Sequence, residues 1–113
     1  MSDCIFCKIA NHEIEGDYVY EDDLVCAFRD ANPEAPVHVL VVPKCHIPDC
    51  NGVKQENSAV VAHIFEVIPA IAAAEGLTGG YRVVSNCGSD AGQTVRHLHF
   101  HILGGKALAL EMA

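Results

Sequence analysis

Near the end of the chain, His97, His99 and His101 alternate with Leu98, Phe100 and Ile102. On a β-strand successive side chains point to opposite faces, so this spacing predicts one imidazole face and one core face. A solvent-facing strand that happens to use histidine is the bland alternative, but three outward positions of one residue type are hard to reach by accident. A shared metal is limited by geometry. Residues two apart on a strand are about 6.6 Å apart and residues four apart about 13 Å, whereas nitrogens on one zinc sit about 2.0–2.1 Å from the ion. Two neighbouring histidines could share a metal, and at least one imidazole is left for other chemistry. A neutral imidazole near pH 7 is a good nucleophile and a good general acid or base.

Just upstream, residues 86–94 (Asn-Cys-Gly-Ser-Asp-Ala-Gly-Gln-Thr) form a run of small and hydrogen-bonding residues. Gly88 and Gly92 let the backbone turn its N–H groups toward an anion, and Gln93 and Thr94 add side-chain donors. Most such loops are only turns. Placed before nucleophile-capable imidazoles, this one reads as a phosphate cradle. Six cysteines are present: Cys4, Cys7, Cys26, Cys45, Cys50 and Cys87. No secretion signal precedes them, so disulfides are not expected, and Cys4-x-x-Cys7 reads as metal or redox chemistry. Cys26, among apolar residues, reads as an inert core filler.

These groups need a scaffold. Ser2 or Asp3 can cap a short helix over residues 4–10, with Ile5, Phe6 and Ile9 at helical spacing. Strands are predicted over residues 18–21 and 24–29, with Asp22 and Asp23 in a hairpin turn between them. Residues 37–42 are a nearly continuous β-branched run, which needs cover on both faces and predicts a central strand. An irregular connection over 43–57 leads to a helix over 58–75, ended by Gly76. Its stripe is Val60, Val61, Ile64, Phe65, Ile68, Ile71 and Ala72, and Pro69 should kink or break it near 65–68. Ala62, Val67, Ala70, Ala73 and Ala74 make the other face weakly apolar too, which implies a subunit interface. Further strands are predicted over 80–86 and 98–103. The fold class is α+β: an antiparallel sheet with helical cover.

The 113 residues fit a single domain spanning 1–113. A net charge of −8 excludes a nucleic-acid coat or an anionic membrane surface as partner, since both need a basic face. It does not exclude a small phosphorylated ligand, because distant surface charges fade over about 8–10 Å in physiological salt. No apolar run approaches the roughly 20 residues that span a bilayer, and the first residues do not read as a signal peptide. A cytoplasmic location is expected.

His97-Leu-His-Phe-His101-Ile-Leu-Gly is similar to the H-φ-H-φ-H-φ-φ signature of the histidine triad (HIT) superfamily. Cys4-Ile-Phe-Cys-Lys-Ile9, Glu21-Asp-Asp23, Ala27-Phe-Arg-Asp30, Ala35-Pro-Val-His38, Val42-Pro-Lys-Cys-His46 and Asn86-Cys-Gly-Ser-Asp-Ala-Gly-Gln93 fall in the order and spacing of its Hint branch. The resemblance covers nearly the whole chain. It implies a five-stranded antiparallel sheet with one long and one short helix, and a homodimer that joins two sheets into a larger one.

The resemblance also implies a mechanism. His99 would attack the α-phosphorus of a nucleotide and form a nucleotidyl-imidazole that water hydrolyses, with a backbone carbonyl holding its tautomer. His101 would contact the phosphate, and His38 would relay or orient. Read alone, His38 could also be a satisfied core histidine on the central strand. Asn86, Gly92 and Gln93 match phosphate-binding positions. Thr94 stands where the branch usually has serine; its hydroxyl survives, and the added methyl narrows the set of leaving amines. Asp30 matches the carboxylate that holds the ribose. Ile5, Phe6, Ile9, Phe28 and Ala31 match the purine slot, although each also reads as core. The implied substrates are purine nucleoside phosphoramidates or aminoacyl-adenylates, with no catalytic metal.

In many bacterial-type relatives, residues corresponding to Cys4, Cys7, His46 and His97 bind structural zinc, a closed tetrahedral set that would pin a helix burying little area itself. A reduced, empty pair and a redox C-x-x-C remain the other readings, and Cys45 and Cys50 lie near enough to leave ligand identity open. Two further functions stand beside the phosphoramidate hydrolase. One is a dinucleoside polyphosphate hydrolase or nucleotide phosphorylase. The other is a zinc-stabilised dimeric module that binds nucleotide with little turnover.

Overall fold

A computed structural model describes residues 4–111. Helix α1 (Ile5–Ala10) is followed by strands β1 (Tyr18–Glu21), β2 (Val25–Arg29) and β3 (Val37–Pro43), helix α2 (Ser58–Ala74), and strands β4 (Tyr81–Val84) and β5 (Phe100–Gly104). The strands form one antiparallel sheet in the order β1-β2-β3-β5-β4, with β3 at its centre.

The continuous apolar run of β3 is explained by cover on both faces. Val39 and Val41 join the cluster under α2, with Ile64, Ile68, Phe100 and Ile102. Leu40 and Val42 belong to a second cluster under α1, with Phe6, Ile9, Cys26 and Phe28. Period-two alternation thus assigns each strand residue to one helix or the other. His38 and His101 share the face of Leu40 and so lie on the α1 side.

Several boundaries differ from expectation for physical reasons. Helix α1 begins at Ile5, and Cys4 is its N-cap, with Sγ accepting from Cys7 N–H at 3.4 Å. The proposed caps Ser2 and Asp3 lie outside the described residues. Strand β2 begins at Val25, because Asp22 Oδ1 accepts from both Leu24 N–H and Val25 N–H and holds Leu24 in the turn. Strand β4 starts after Gly80, whose φ of +112° is not a strand conformation.

Helix α2 runs unbroken through Pro69. Pro69 and Phe65 are both exposed, so the carbonyl that loses its intrahelical donor lies on the outer side of the helix. The buried stripe is Val60, Ile64, Val67, Ile68, Ile71 and Ala72. Val67 comes from the face expected to be weaker, while Phe65 is 51% exposed.

The histidine segment is the main correction. Strand β5 begins only at Phe100; residues 95–97 form a bend, and Leu98 and His99 follow it outside the sheet. His97 N–H donates to Val95 O, and Leu98 N–H donates to Ile47 O, away from the sheet ladder. The three histidines are therefore not one flat stripe.

Candidate functional site

His99 and His101 keep strand-like alternation, and their ring centroids are 5.0 Å apart. Nδ1 of His99 lies 2.7 Å from His97 O. A carbonyl only accepts, so Nδ1 carries the proton and Nε2 keeps its lone pair. Phe6 packs edge-on against the ring at 5.0 Å. His99 is 5% exposed.

His101 is organised from further away. Glu34 N–H donates to His38 Nδ1 at 3.0 Å, which leaves the proton of neutral His38 on Nε2. That nitrogen lies 2.8 Å from His101 Nδ1, so His38 donates and His101 accepts. The remaining proton of neutral His101 must then sit on Nε2. Among the described residues, His101 Nε2 is the one buried side-chain polar atom without a partner. A buried donor left open costs about 1–3 kcal/mol unless an acceptor fills it, which makes this atom a candidate ligand contact. Burial, then the neighbouring charges of His99 and His38, pushes His101 down to about 4, so it is neutral at pH 7. His38 is indeed buried and satisfied, but one of its partners is a site histidine.

Register explains the meeting. His38 pairs with Leu103 and Leu40 with His101, so His38 and His101 are diagonal neighbours on one face, within reach of long side chains. Asp30, just beyond β2, points Oδ2 toward His38 Nε2 at 3.5 Å, while its Oδ1 accepts from Asn32 N–H.

A cavity of about 590 Å³ lies beside these groups. Ile5, Phe6, Ile9, Phe28, Asp30, Ala31 and Thr94 all line it, a size and lining suited to a small organic ligand. Sequence reasoning missed Leu40 and Val95 in the wall and Glu15, Gly16, Asp17 and Arg29 at the rim. Leu40 was findable: it shares the face of His38 by period two. The rim residues carried no local signal.

Asn86, Gly92 and Gln93 do not line the cavity. Gln93 corrects the expectation of a free side-chain donor: its Nε2 donates to Pro48 O and Val95 O, and its Oε1 accepts from Gly88 N–H. Gln93 braces the loop. Gly88 and Gly92 hold φ of +85° and +81° around the short turn Ser89–Ala91, conformations that glycine adopts without strain.

His97 faces elsewhere. Its Nδ1 lies 3.3 Å from Cys4 Sγ, 3.4 Å from Cys7 Sγ and 3.2 Å from His46 Nδ1, and Cys7 Sγ is 3.3 Å from His46 Nδ1. A tetrahedron with metal bonds of about 2.0–2.3 Å has edges of about 3.3–3.8 Å, so the four atoms fit one ion with slight expansion. His97 Nε2 donates to Pro43 O at 2.9 Å, which keeps the lone pair on Nδ1, aimed at the sulfurs. Burial, then His46 and His99, pushes His97 down to about 4. Cys4, Cys7, His46 and His97, spread over 93 positions of sequence, come together as a set that can hold a metal ion.

Among the described residues no helix is long and apolar enough to cross a membrane. The family model described as "Scavenger mRNA decapping enzyme C-term binding" matches residues 3–112. The chain is 54% identical over 107 residues to an uncharacterised HIT-like protein of Synechococcus elongatus, covering 95% of this chain and 94% of that one. It is 44% identical over 110 residues to the purine nucleoside phosphoramidase of Escherichia coli, covering 96% and 92%. Among solved structures, a histidine triad protein from Clostridium difficile superposes with a TM-score of 0.94 at 52% identity, over 99% of this chain and 98% of that one. A HIT family hydrolase from Clostridium thermocellum gives 0.96 at 40% identity, over 100% and 99%. Sequence, fold and site agree: this chain belongs to the histidine triad family, on its Hint-like branch.

Proposed function

We propose that the chain hydrolyses purine nucleoside phosphoramidates or aminoacyl-adenylates, with His99 as nucleophile and a nucleoside monophosphate as product. The observation that carries this reading is the tautomer of His99: Nδ1–H rests on His97 O, leaving Nε2 to attack. Two supports stand beside it, the unpartnered His101 Nε2 and the kinship to a purine nucleoside phosphoramidase.

The base enters the apolar cavity between Phe6, Ile9 and Phe28, and the ribose reaches Asp30 at its rim. Nε2 of His99 forms a bond to the α-phosphorus as the phosphorus–nitrogen bond of a phosphoramidate breaks, or, in an aminoacyl-adenylate, the phosphorus–oxygen bond to the departing carboxylate. The positive charge that develops on the ring is stabilised through Nδ1–H on His97 O. His101 Nε2–H donates to a phosphoryl oxygen as negative charge grows there. The Thr94 hydroxyl donates to the departing atom, and water then displaces His99. Asn86 and the backbone around Gly92 complete the anion contacts, with Gln93 as their brace. No metal takes part in these steps.

Cys4, Cys7, His46 and His97 hold a structural zinc ion, the metal that suits a closed set of two sulfur and two nitrogen donors. Two copies form a homodimer through the β4 edge and the outer face of α2, where Tyr81 and Phe65 are exposed.

The test is release of AMP from an adenosine phosphoramidate, measured for the native chain and for His99→Ala. Turnover that is native-only supports the reading. Equal turnover removes His99 from the mechanism. No turnover by either, with AMP still bound, favours a binding module, and faster cleavage of a diadenosine polyphosphate favours the polyphosphate hydrolase.

A further inference from the structure

Cys50 and Cys87 have no place in the chemistry above, yet the fold lays their segments side by side. Cys50 opens the short turn Cys50–Gly52, and Cys87 stands at the start of the loop of residues 86–94, the donor loop. Cys50 Sγ is 3.8 Å from Ser85 Oγ, and Asn51 Nδ2 donates to Cys87 Sγ at 3.4 Å. Residues 50 and 51 thus run beside residues 85 and 87. The same strap is tied to the far end of the loop by Gln93 Nε2 on Pro48 O and by Arg96 on Asp49. Cys50 is exposed, Cys87 half-buried, and neither is in a disulfide.

We propose that Cys50 and Cys87 form a reversible oxidation site, at which a hydroperoxide drives a disulfide that pulls the donor loop out of its working shape. The Cys50 thiolate, the more accessible of the two, attacks the peroxide oxygen. The O–O bond breaks, giving a sulfenic acid on Cys50 and water, or an alcohol from an organic hydroperoxide. The Cys87 thiolate then attacks the Cys50 sulfur, the S–O bond breaks, and the departing hydroxide takes a proton to become water. Two thiols lose two electrons and the peroxide gains them. An external dithiol reverses the bond by exchange.

Geometry links the bond to the site. A disulfide needs sulfurs about 2 Å apart and Cα atoms within about 4.4–6.8 Å. Closure must take Cys87 Sγ from the Asn51 amide and Cys50 Sγ from Ser85. Gly88 is the hinge: it follows Cys87, has φ +85°, and has open space where a Cβ would lie. Ser85 Oγ also donates to His99 O at 2.9 Å, so movement there reaches the backbone of the nucleophile. The other thiols are placed differently. Cys26 is fully buried, and Cys4 and Cys7 face His97 and His46. Exposed Cys45 is the internal control.

The bond itself is independent of the proposed hydrolase activity, whereas its effect on turnover rests on that reading. The zinc-loaded native protein is treated with hydrogen peroxide, alkylated and mapped without reduction, with phosphoramidate turnover, AMP affinity and bound zinc followed in parallel. A Cys50–Cys87 linked peptide pair is expected, lost on adding dithiothreitol. Turnover, or AMP affinity should the protein not turn over, falls about tenfold or more and returns on reduction. Cys50→Ser keeps the reduced activity and becomes insensitive, while Cys45→Ser stays sensitive. Absence of the linked pair overturns the site. A linked pair with unchanged turnover and AMP affinity overturns its control of the loop, as does equal peroxide sensitivity in Cys50→Ser.

Discussion

His38 Nε2 lies 2.8 Å from His101 Nδ1, and the direction of that hydrogen bond is set at the far end of His38, where Glu34 N–H donates to Nδ1. A backbone amide four residues before His38 thereby decides which nitrogen of His101 presents a proton to the site. Replacing His38 by Ala frees His101 to adopt either tautomer. The expected result is a fall in kcat of about 10–100-fold with KM little changed, because in the proposed mechanism the His101 contact strengthens as charge grows on the phosphoryl oxygen. His38→Gln, which can place an N–H near the same point, should recover part of the loss. Steady-state kinetics on an adenosine phosphoramidate checks both.

The Cys4, Cys7, His46 and His97 cluster joins α1, the end of β3 and the histidine bend. Helix α1 has only six residues and cannot hold itself by local hydrogen bonds. Chelation, or Cys7→Ser, should remove one zinc per chain and cost about 2 kcal/mol, a fall in Tm of roughly 10 °C. Elemental analysis and thermal melts of the same samples provide the measurement. Native protein free of metal and melting unchanged with chelator would sink the zinc assignment.

On the opposite side of the sheet, α2 is clipped to the β1–β2 turn by His63 Nε2 on Asp22 Oδ2 at 2.6 Å, with Tyr20 OH on the same oxygen. Burial acts to raise the Asp22 carboxyl, but the hydrogen bonds from His63, Leu24 N–H, Tyr20 and Val25 N–H outweigh it and hold it well below the usual range. The hydrogen bond to Asp22 raises His63. The carboxylate contributes stability above its unfolded value of about 4 and loses it as pH falls further. The imidazolium contributes below its unfolded value of about 6.5 and loses it as pH rises through the raised folded value. The clip is therefore strongest between about pH 4 and 6.5. The Tm difference between the native chain and His63→Ala should peak near the middle of that window and shrink by about pH 9.

Gly105 follows β5 with φ +94°, and a Cβ there would lie 2.9 Å from Pro36 Cβ. Gly105→Ala meets both a strained backbone and a close neighbour, so a loss of about 1–3 kcal/mol is expected in urea unfolding. Gly79→Ala, with open space and no positive φ, is the matched control and should cost far less.

Local sequence was enough for the strands, for both helices within a residue or two, and for the two-sided cover of β3. It also carried part of the cavity lining, Ile5, Phe6, Ile9, Phe28, Asp30, Ala31 and Thr94, through their match to the family pattern, but not Leu40 or Val95. Alternation and capping act over a few residues, so they are written in the chain itself. Tertiary structure decided what each histidine does. The flat stripe expected at 97–101 is broken by a bend, because His97 is drawn to sulfurs 90 and 93 positions away, while His99 stays on a carbonyl of its own segment. The tautomer of His101 depends on His38, 63 positions away, and Gln93 becomes a brace because Pro48 O lies within reach of its amide. Residue types and spacing announce which groups can react. The partner of each ring nitrogen, and so the place of each proton, exists only once distant segments meet.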